Sequence, residues 1–392
     1  MTTKQKNKIW FILGKNPELS IAEIISLFNL KKINEDKILK IELNNINSNI
    51  INQIGGTIKI AKEIGDELTI DQIKQKIVEI LKNKTGKTIF GISELAEKYN
   101  RKQMVMLGIA IKKELKENNN SVRYIEAKDK ELNAAQIINN KIIEKGGEFL
   151  IETLPFEKNK KQLYNLAQTI AVQNVNDWSK RDYGRPASDS LSGMLPPKLA
   201  MIMINLSGAK KTGTILDPFC GSGTILNEAI YLGYKNIIGN DISEKAISNS
   251  QKNINWLSTE YQIQNVKYEL LNEDVKKISQ KIKVKSIDAI ITEPYLGKPL
   301  KGNESEDFLA NQARELEELY LNAFKEFIKI LKSNGVVIFI IPEFPKIRIE
   351  LEDKLKKLGF TAQEILPNKK YLTYSRPDAK LKRQVWKFVL SS

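Results

Sequence analysis

The stretch Asp217-Pro218-Phe219-Cys220-Gly221-Ser222-Gly223-Thr224 follows the short apolar run Thr214 to Leu216 and opens the helical stretch Thr224 to Leu232. A strand, a turn with two glycines and a helix leave little choice of local fold. The glycines let the backbone approach a ligand closely, and the helix start presents unbonded N–H groups. Asp241 stands 20 residues after Gly221, just past the next apolar run, Ile237 to Gly239. In a βαβ unit an acid at that spacing reaches the ribose hydroxyls of an adenosine-containing ligand. The runs Ile287 to Ile291 and Val336 to Ile341, with the helical stretch Glu306 to Leu331, continue the alternation. It predicts a doubly wound α/β domain with buried parallel strands.

Residues that are missing narrow the chemistry. The chain has 392 residues, one Cys and no His. Without His there is no His-based triad, no imidazole general base and no zinc site of the His-containing kinds. A lone Cys closes no internal disulfide and holds no thiolate cluster, so no metal site is expected. An enzyme built from these residues works with carboxylates, backbone groups, aromatics, Lys or a bound cofactor. The net charge of +15 favours a polyanionic partner. The excess of 54 Lys over 8 Arg, in a chain rich in Asn and Ile, is also what an A/T-rich coding sequence gives.

At 41% hydrophobic and 28% charged residues the composition is that of a soluble globular protein. Lys4 to Lys8 followed by Ile9 to Leu13 offers too few apolar residues for a secretory signal. Val336 to Ile341 is too short to span a bilayer. A cytoplasmic location with no membrane partner is the expectation.

The length calls for more than one domain. Ile9 to Leu13 reads as a strand, followed by a helix with Asn16 as N-cap and Pro17 in its first turn. Ile21, Ile24, Ile25 and Phe28 fall at helical spacing and predict an apolar stripe packed on that strand. A helix carrying Met104, Gly108, Ile111 and Leu115 on one face precedes a strand over Val122 to Ile125. A further helix is expected over Leu132 to Lys145, ending at Gly146-Gly147. These elements make an α+β region over 1–152. The pattern loosens between Pro155 and Pro197, which places a linker at 153–192 and the α/β domain at 193–392.

A second motif, Thr292-Glu293-Pro294-Tyr295-Leu296-Gly297, comes directly after the run Ile287 to Ile291. With the octapeptide it resembles the motif pair of the S-adenosylmethionine-dependent RNA and DNA amino-methyltransferases, a cofactor loop and an Asp-Pro-Pro-Tyr or Asn-Pro-Pro-Tyr loop. The resemblance implies a Rossmann-like class I methyltransferase domain with a seven-stranded, mostly parallel sheet, and S-adenosylmethionine as cofactor. It implies cofactor contacts from Asp217, Phe219, Gly221, Gly223, Thr224 and Asp241. Asp274, in Asn272-Glu273-Asp274, stands where such folds place an acid on the adenine amino group, although the residue equally suits loop capping. Glu293, Pro294 and Tyr295 become the catalytic candidates. An amine conjugated to a base ring is a poor nucleophile, and a carboxylate plus a backbone carbonyl accepting its N–H bonds steer the nitrogen towards the methyl. The chain departs from the pattern: Glu293 replaces the Asp, Tyr295 the second Pro and Leu296 the stacking aromatic. The sole Cys220 lies in the cofactor loop, which disfavours the cysteine-nucleophile route to carbon-5 pyrimidine methylation.

Arg185-Pro186-Ala187-Ser188-Asp189 and Gly193-Met194-Leu195-Pro196-Pro197-Lys198-Leu199-Ala200 resemble the segment before the cofactor loop in archaeal-type tRNA guanine N2-methyltransferases of the position-10 group, except that Ser188 stands in place of a second Arg. Ile12-Leu13-Gly14, Pro17-Glu18-Leu19-Ser20, Ala22-Glu23, Gly55-Gly56-Thr57, Phe90-Gly91-Ile92-Ser93 and Ser121-Val122-Arg123 are similar to their ferredoxin-like and THUMP modules. The resemblance implies an N-terminal RNA-binding region, tRNA as partner, and methylation of an exocyclic amine, guanine N2 above others. Two other readings remain: a non-catalytic tRNA-binding protein with a degenerate methyltransferase fold, and a ribosomal RNA or DNA amino-methyltransferase. Lys112, Lys113, Lys116 and Arg123 suit phosphate contacts or a solvated surface alike. Arg376 and Lys380-Leu381-Lys382-Arg383 suit a phosphate patch, or else Val385, Phe388 and Leu390 form a final edge strand kept soluble by these charges.

Overall fold

The computed structural model describes residues 7–30, 38–95, 100–156, 158, 160–187, 194–376 and 379–391. Ser188, Asp189 and Gly193 lie outside the described residues. In chain order the first elements are β1 (Asn7–Leu13), α1 (Pro17–Phe28), β2 (Ile38–Leu43), β3 (Thr57–Leu68), α2 (Ile70–Lys82), β4 (Thr88–Glu94), α3 (Arg101–Glu117), β5 (Val122–Ile125), α4 (Ala134–Asn139), α5 (Ile142–Lys145), β6 (Gly146–Thr153), β7 (Tyr164–Val172) and α6 (Val175–Tyr183). There follow α7 (Pro197–Ser207), β8 (Thr214–Asp217), α8 (Thr224–Tyr231), β9 (Asn236–Asn240), α9 (Glu244–Glu260), β10 (Lys267–Leu271), β11 (Ile287–Thr292), α10 (Glu306–Ile330), β12 (Leu331–Glu343), α11 (Glu352–Lys357), β13 (Phe360–Ala362), β14 (Tyr371–Tyr374) and β15 (Lys382–Leu390). They form two compact units, one of residues 1–14, 34–53 and 57–177, the other of 15–33, 54–56 and 178–392.

The first unit holds a seven-stranded sheet in the order β2-β1-β3-β7-β6-β4-β5, antiparallel except where β4 lies between β6 and β5. Ile73, Ile77 and Leu81 of α2 and Met104, Ile111 and Leu115 of α3 cover one face, against Phe90, Phe149 and Leu166. The helix expected over Leu132 to Lys145 is broken in two. Asn133 and Gln136 cap the start of α4 reciprocally, the Asn140 side chain donates to the Gln136 carbonyl at 2.9 Å, and Lys141 turns to φ +52°. Side chains that bond their own backbone compete with helix continuation. The expected linker contains β7, which pairs with both β3 and β6 in this sheet.

The second unit carries an eight-stranded sheet, one more than expected, in the order β10-β9-β8-β11-β12-β15-β13. β14 is the additional strand, pairing with β15 beside the stretch that β13 leaves open. β10 through β12 are parallel, with apolar residues on both faces, and β15 is antiparallel to its neighbours. β15 is therefore an inner strand, not an edge. Phe324 of α10 anchors the core, packing edge-on against Phe339, Phe360 and Phe388 at ring distances of 5.0–5.6 Å.

The helix α1 belongs to this second unit, where it packs on α7. One reason is Glu23 on its buried face. Its Oε1 accepts from Gly55 N and from Asn205 Nδ2, each at 2.8 Å, and its Oε2 accepts from Gly56 N at 2.8 Å. A buried carboxylate must be satisfied, and these three donors exist only here.

Candidate active site

The strand order reverses between β8 and β11, and in open α/β sheets such a switch leaves a crevice at the carboxyl ends of the strands. The cofactor-loop candidate fills the turn from β8 to α8. Gly221 and Gly223 adopt φ of +53° and +83°, and a Cβ on Gly223 would sit 2.9 Å from Ser250 Oγ. That hydroxyl donates to the Gly221 carbonyl at 2.8 Å, and Cys220 N donates to the Asn240 carbonyl at 2.8 Å. Gly223 caps α8 without a side chain, so the first N–H groups of the helix stay available to an anion.

Two of the three acids expected at the cofactor, Asp241 and Asp274, are engaged by backbone. Asp241 accepts from Gly221 N through Oδ2 and from Ser243 N through Oδ1, both at 2.9 Å. Asp274 accepts from Lys276 N at 3.0 Å and caps the helical turn Val275–Gln280, the capping role that its sequence position allowed. Asn240, unremarked in the sequence, is wholly buried. Its Nδ2 donates to the carbonyls of Pro218 and Glu273 at 3.1 and 3.0 Å, and its Oδ1 accepts from Glu273 N at 3.1 Å. One amide thus ties the loops after β8, β9 and β10 together. A polar residue closing an apolar strand run was the signal for it.

Asp217 is buried at the end of β8, where it accepts from Thr292 Oγ1 at 2.7 Å and from Phe219 N at 3.2 Å. Burial pushes its carboxyl up to about 7 against those two bonds, and the nearby Asp241 and Glu293 push the same way. The Thr292 bond joins the ends of β8 and β11, so the two motif loops are braced at their roots. Arg185 is also buried; its Nη1 donates to Thr224 Oγ1 at 2.6 Å. Burial lowers its pKa.

Glu293 follows β11, with only 13% of its side chain exposed, and its Oε1 accepts from Arg383 Nε at 2.5 Å. Burial raises the carboxyl, opposed by the positive charges of Arg383 and Arg376. The loop is fixed from α10: Tyr320 Oη donates to the Tyr295 carbonyl at 2.7 Å, and Gln312 Oε1 accepts from Lys298 N at 2.5 Å. The Tyr295 side chain remains 54% exposed. Asp217, Phe219, Gly221, Thr224, Asp241, Asp274, Glu293, Pro294 and Tyr295 all line one cleft of about 730 Å³, which Met194 and Leu296 also line. Gly223 is the one candidate not on its wall; it shapes the turn. Among the described residues, no group of His, Cys, Asp and Glu is arranged to hold a metal ion, and no helix is long and apolar enough to cross a membrane.

Residues 185–358 match a family model described as RMKL-like, methyltransferase domain. A model described as DNA methylase matches residues 33–252, more than half of the chain. Among curated proteins, the chain is 33% identical over 158 residues to the Probable tRNA (guanine(10)-N2)-dimethyltransferase of Methanothermococcus thermolithotrophicus, covering 40% of this chain and 85% of that protein. The chain belongs to the tRNA (guanine(10)-N2)-dimethyltransferase family. By the second model it also falls within the family described as DNA methylase. To the tRNA (guanine(10)-N2)-dimethyltransferase of Methanocaldococcus jannaschii it is 29% identical over 196 residues, 49% of this chain and 51% of that protein, so it spans about half the length of this family member. The crystal structure of TrmN from Thermus thermophilus is similar in fold, with a TM-score of 0.52 at 13% identity over 97% of this chain and 99% of that one. The second unit thus has the Rossmann-like class I methyltransferase fold.

Proposed function

We propose that the chain transfers a methyl group from S-adenosylmethionine to the N2 amine of a guanine in tRNA. The observation that carries this reading is the shared cleft: an ionisable Glu293, a following Pro294 carbonyl and an exposed Tyr295 ring lie on the same wall system as the glycine turn and its two acids. S-adenosylmethionine supplies a methyl on a sulfonium that departs as a neutral thioether, so the residues need only bind, orient and accept a proton. Asp241 has further lone pairs for the ribose hydroxyls, Asp274 for the adenine amine, and the open start of α8 beside Gly221 and Thr224 suits the methionyl carboxylate. Asp217 and Phe219 complete that wall. The residues present fit the cofactor: Gly221 leaves open space at the cleft wall where a Cβ would stand, and Asp241 and Asp274 line the same wall.

On the substrate side, Glu293 and the Pro294 carbonyl accept the two amine hydrogens, and the Glu293 carboxylate takes the proton released as nitrogen is alkylated. Tyr295 stacks on the base. Orientation supplies the rate, with no covalent enzyme intermediate. The first unit is the RNA-capturing region in this reading, supported by Lys113, Lys116 and Arg123, which are exposed on α3 and β5. Such contacts go to phosphates and shape, not to base edges. A cytoplasmic site of action follows from a tRNA substrate.

The DNA methylase match over residues 33–252 favours a second reading, amino-methylation of DNA. Isotope-labelled S-adenosylmethionine incubated with the full chain and either tRNA or duplex DNA, followed by nucleoside mass spectrometry, separates them. Labelled N2-methylguanosine in tRNA is expected. Label in DNA alone establishes the second reading, and tRNA binding with no label establishes a non-catalytic RNA-binding protein.

A further inference from the structure

The tail of the chain carries an arginine that turns inward. β15 runs antiparallel to β12 with Arg383 opposite Pro342, and antiparallel to β14 with Arg383 opposite Tyr374. That register takes its guanidinium to the carboxyl end of β11. There Nε meets Glu293 Oε1 at 2.5 Å, and each side chain is only 13% exposed. An arginine for phosphate would stay at the surface, as its neighbour Lys382 does, 53% exposed while paired with Glu343 Oε1 at 3.3 Å. The contact also accounts for the extra methylene of a glutamate in this motif, because the longer side chain spans to β15 while its root stays at the cleft wall.

We propose that Arg383 positions Glu293 for amine methylation, gripping one carboxylate oxygen so that the other is presented to the substrate. The proposal rests on the methyltransferase reading above and adds a residue to it. A charge-assisted hydrogen bond fixes the carboxylate plane, which a neutral partner does less well. It also favours the ionised form of Glu293, which burial opposes. Among the described residues, the other charged or titratable groups that face this carboxylate are Arg376 before β15, Asp217 on β8 and Tyr320 on α10. Arg376 works with Arg383, and Asp217 against it.

The test is single-turnover methylation of tRNA across pH by the full chain and by Arg383→Met, Arg383→Lys and Glu293→Gln. Arg383→Met is expected to lower the rate about 100-fold near neutral pH with tRNA KM within about twofold, and to move the acidic limb of the rate profile to higher pH. The sign follows from losing the cation: the carboxylate then needs higher pH to ionise, so activity recovers on the alkaline side. Arg383→Lys is expected within about tenfold of the parent, and it carries the comparison if the Met variant melts early. If Arg383→Met instead raises tRNA KM, flattens the salt dependence and leaves the acidic limb in place, Arg383 is a phosphate contact and the proposal is overturned. Glu293→Gln inactive beside a normal Arg383→Met overturns the positioning role alone; both variants active overturns the reading of Glu293 itself.

Discussion

Two glutamates of the second unit, one fully and one partly buried, show how one side chain serves two ends. Glu23, fully buried on α1, has both oxygens taken by three donors from Gly55, Gly56 and Asn205 and, among the described residues, no cation beside it. Glu293, at the cleft, has one oxygen held by Arg383. Burial raises both carboxyls, Glu23 to about 7. A carboxylate surrounded by backbone donors is a joint. One held from one side by a fixed cation, with a cleft on the other, is equipped to receive a substrate. Burial and a raised pKa alone do not tell them apart; the arrangement of partners does.

The comparison is broken most directly at Glu293. Glu293→Gln is expected to cost about 10³-fold in the methylation rate, or about 4 kcal/mol of barrier, with unchanged denaturant midpoint. A rate within tenfold of the parent would remove the distinction. Glu23→Ala is expected to do the converse. Three donors lose their acceptor, which costs on the order of 3 kcal/mol of stability, read as a lower urea midpoint, while the rate per folded molecule holds within about twofold. The raised Glu23 carboxyl adds a pH signature. Its folded value lies above its unfolded one, so its contribution is whole below about pH 4.5 and declines as pH rises through about 7. Relative to Glu23→Gln, the parent chain should lose on the order of 3 kcal/mol of stability across that window; a difference that stays constant with pH would disprove the shift. The smallest effect belongs to Gly221→Ala. No atom lies within 4 Å of the added Cβ, so the φ of +53° alone costs about 1 kcal/mol. Urea denaturation should show a midpoint lowered to match.

What was legible in the sequence was what is local. The turn from Asp217 to Thr224, the spacing to Asp241 and the loop after β11 each depend on a few consecutive residues, and all reach the same cleft. α3 and β5 lie where periodicity put them. The features that escaped depend on register over long separations. Arg383 meets Glu293 across 90 residues because β15 pairs in one alignment and no other, and nothing in Lys380 to Arg383 announces which side chain turns inward. The apolar stripe of α1 is real, but periodicity names a face and not its partner, and only Asn205, 182 residues away, reveals α7 as that partner. Composition likewise misled at 153–192, because the strand β7 follows a polar turn without any break in the sheet.

The joint at Glu23 has a consequence for how this molecule can be divided. The unit that carries the cleft is not one stretch of the gene: residues 15–33 and 54–56 are as much parts of it as 178–392. A fragment beginning after β7 would leave the Asn205 amide without its acceptor and the apolar face of α7 bare to water. Testing the roles proposed for the two units is therefore a matter of point substitutions, since a cut between two coding segments leaves the unit that carries the cleft without its first helix.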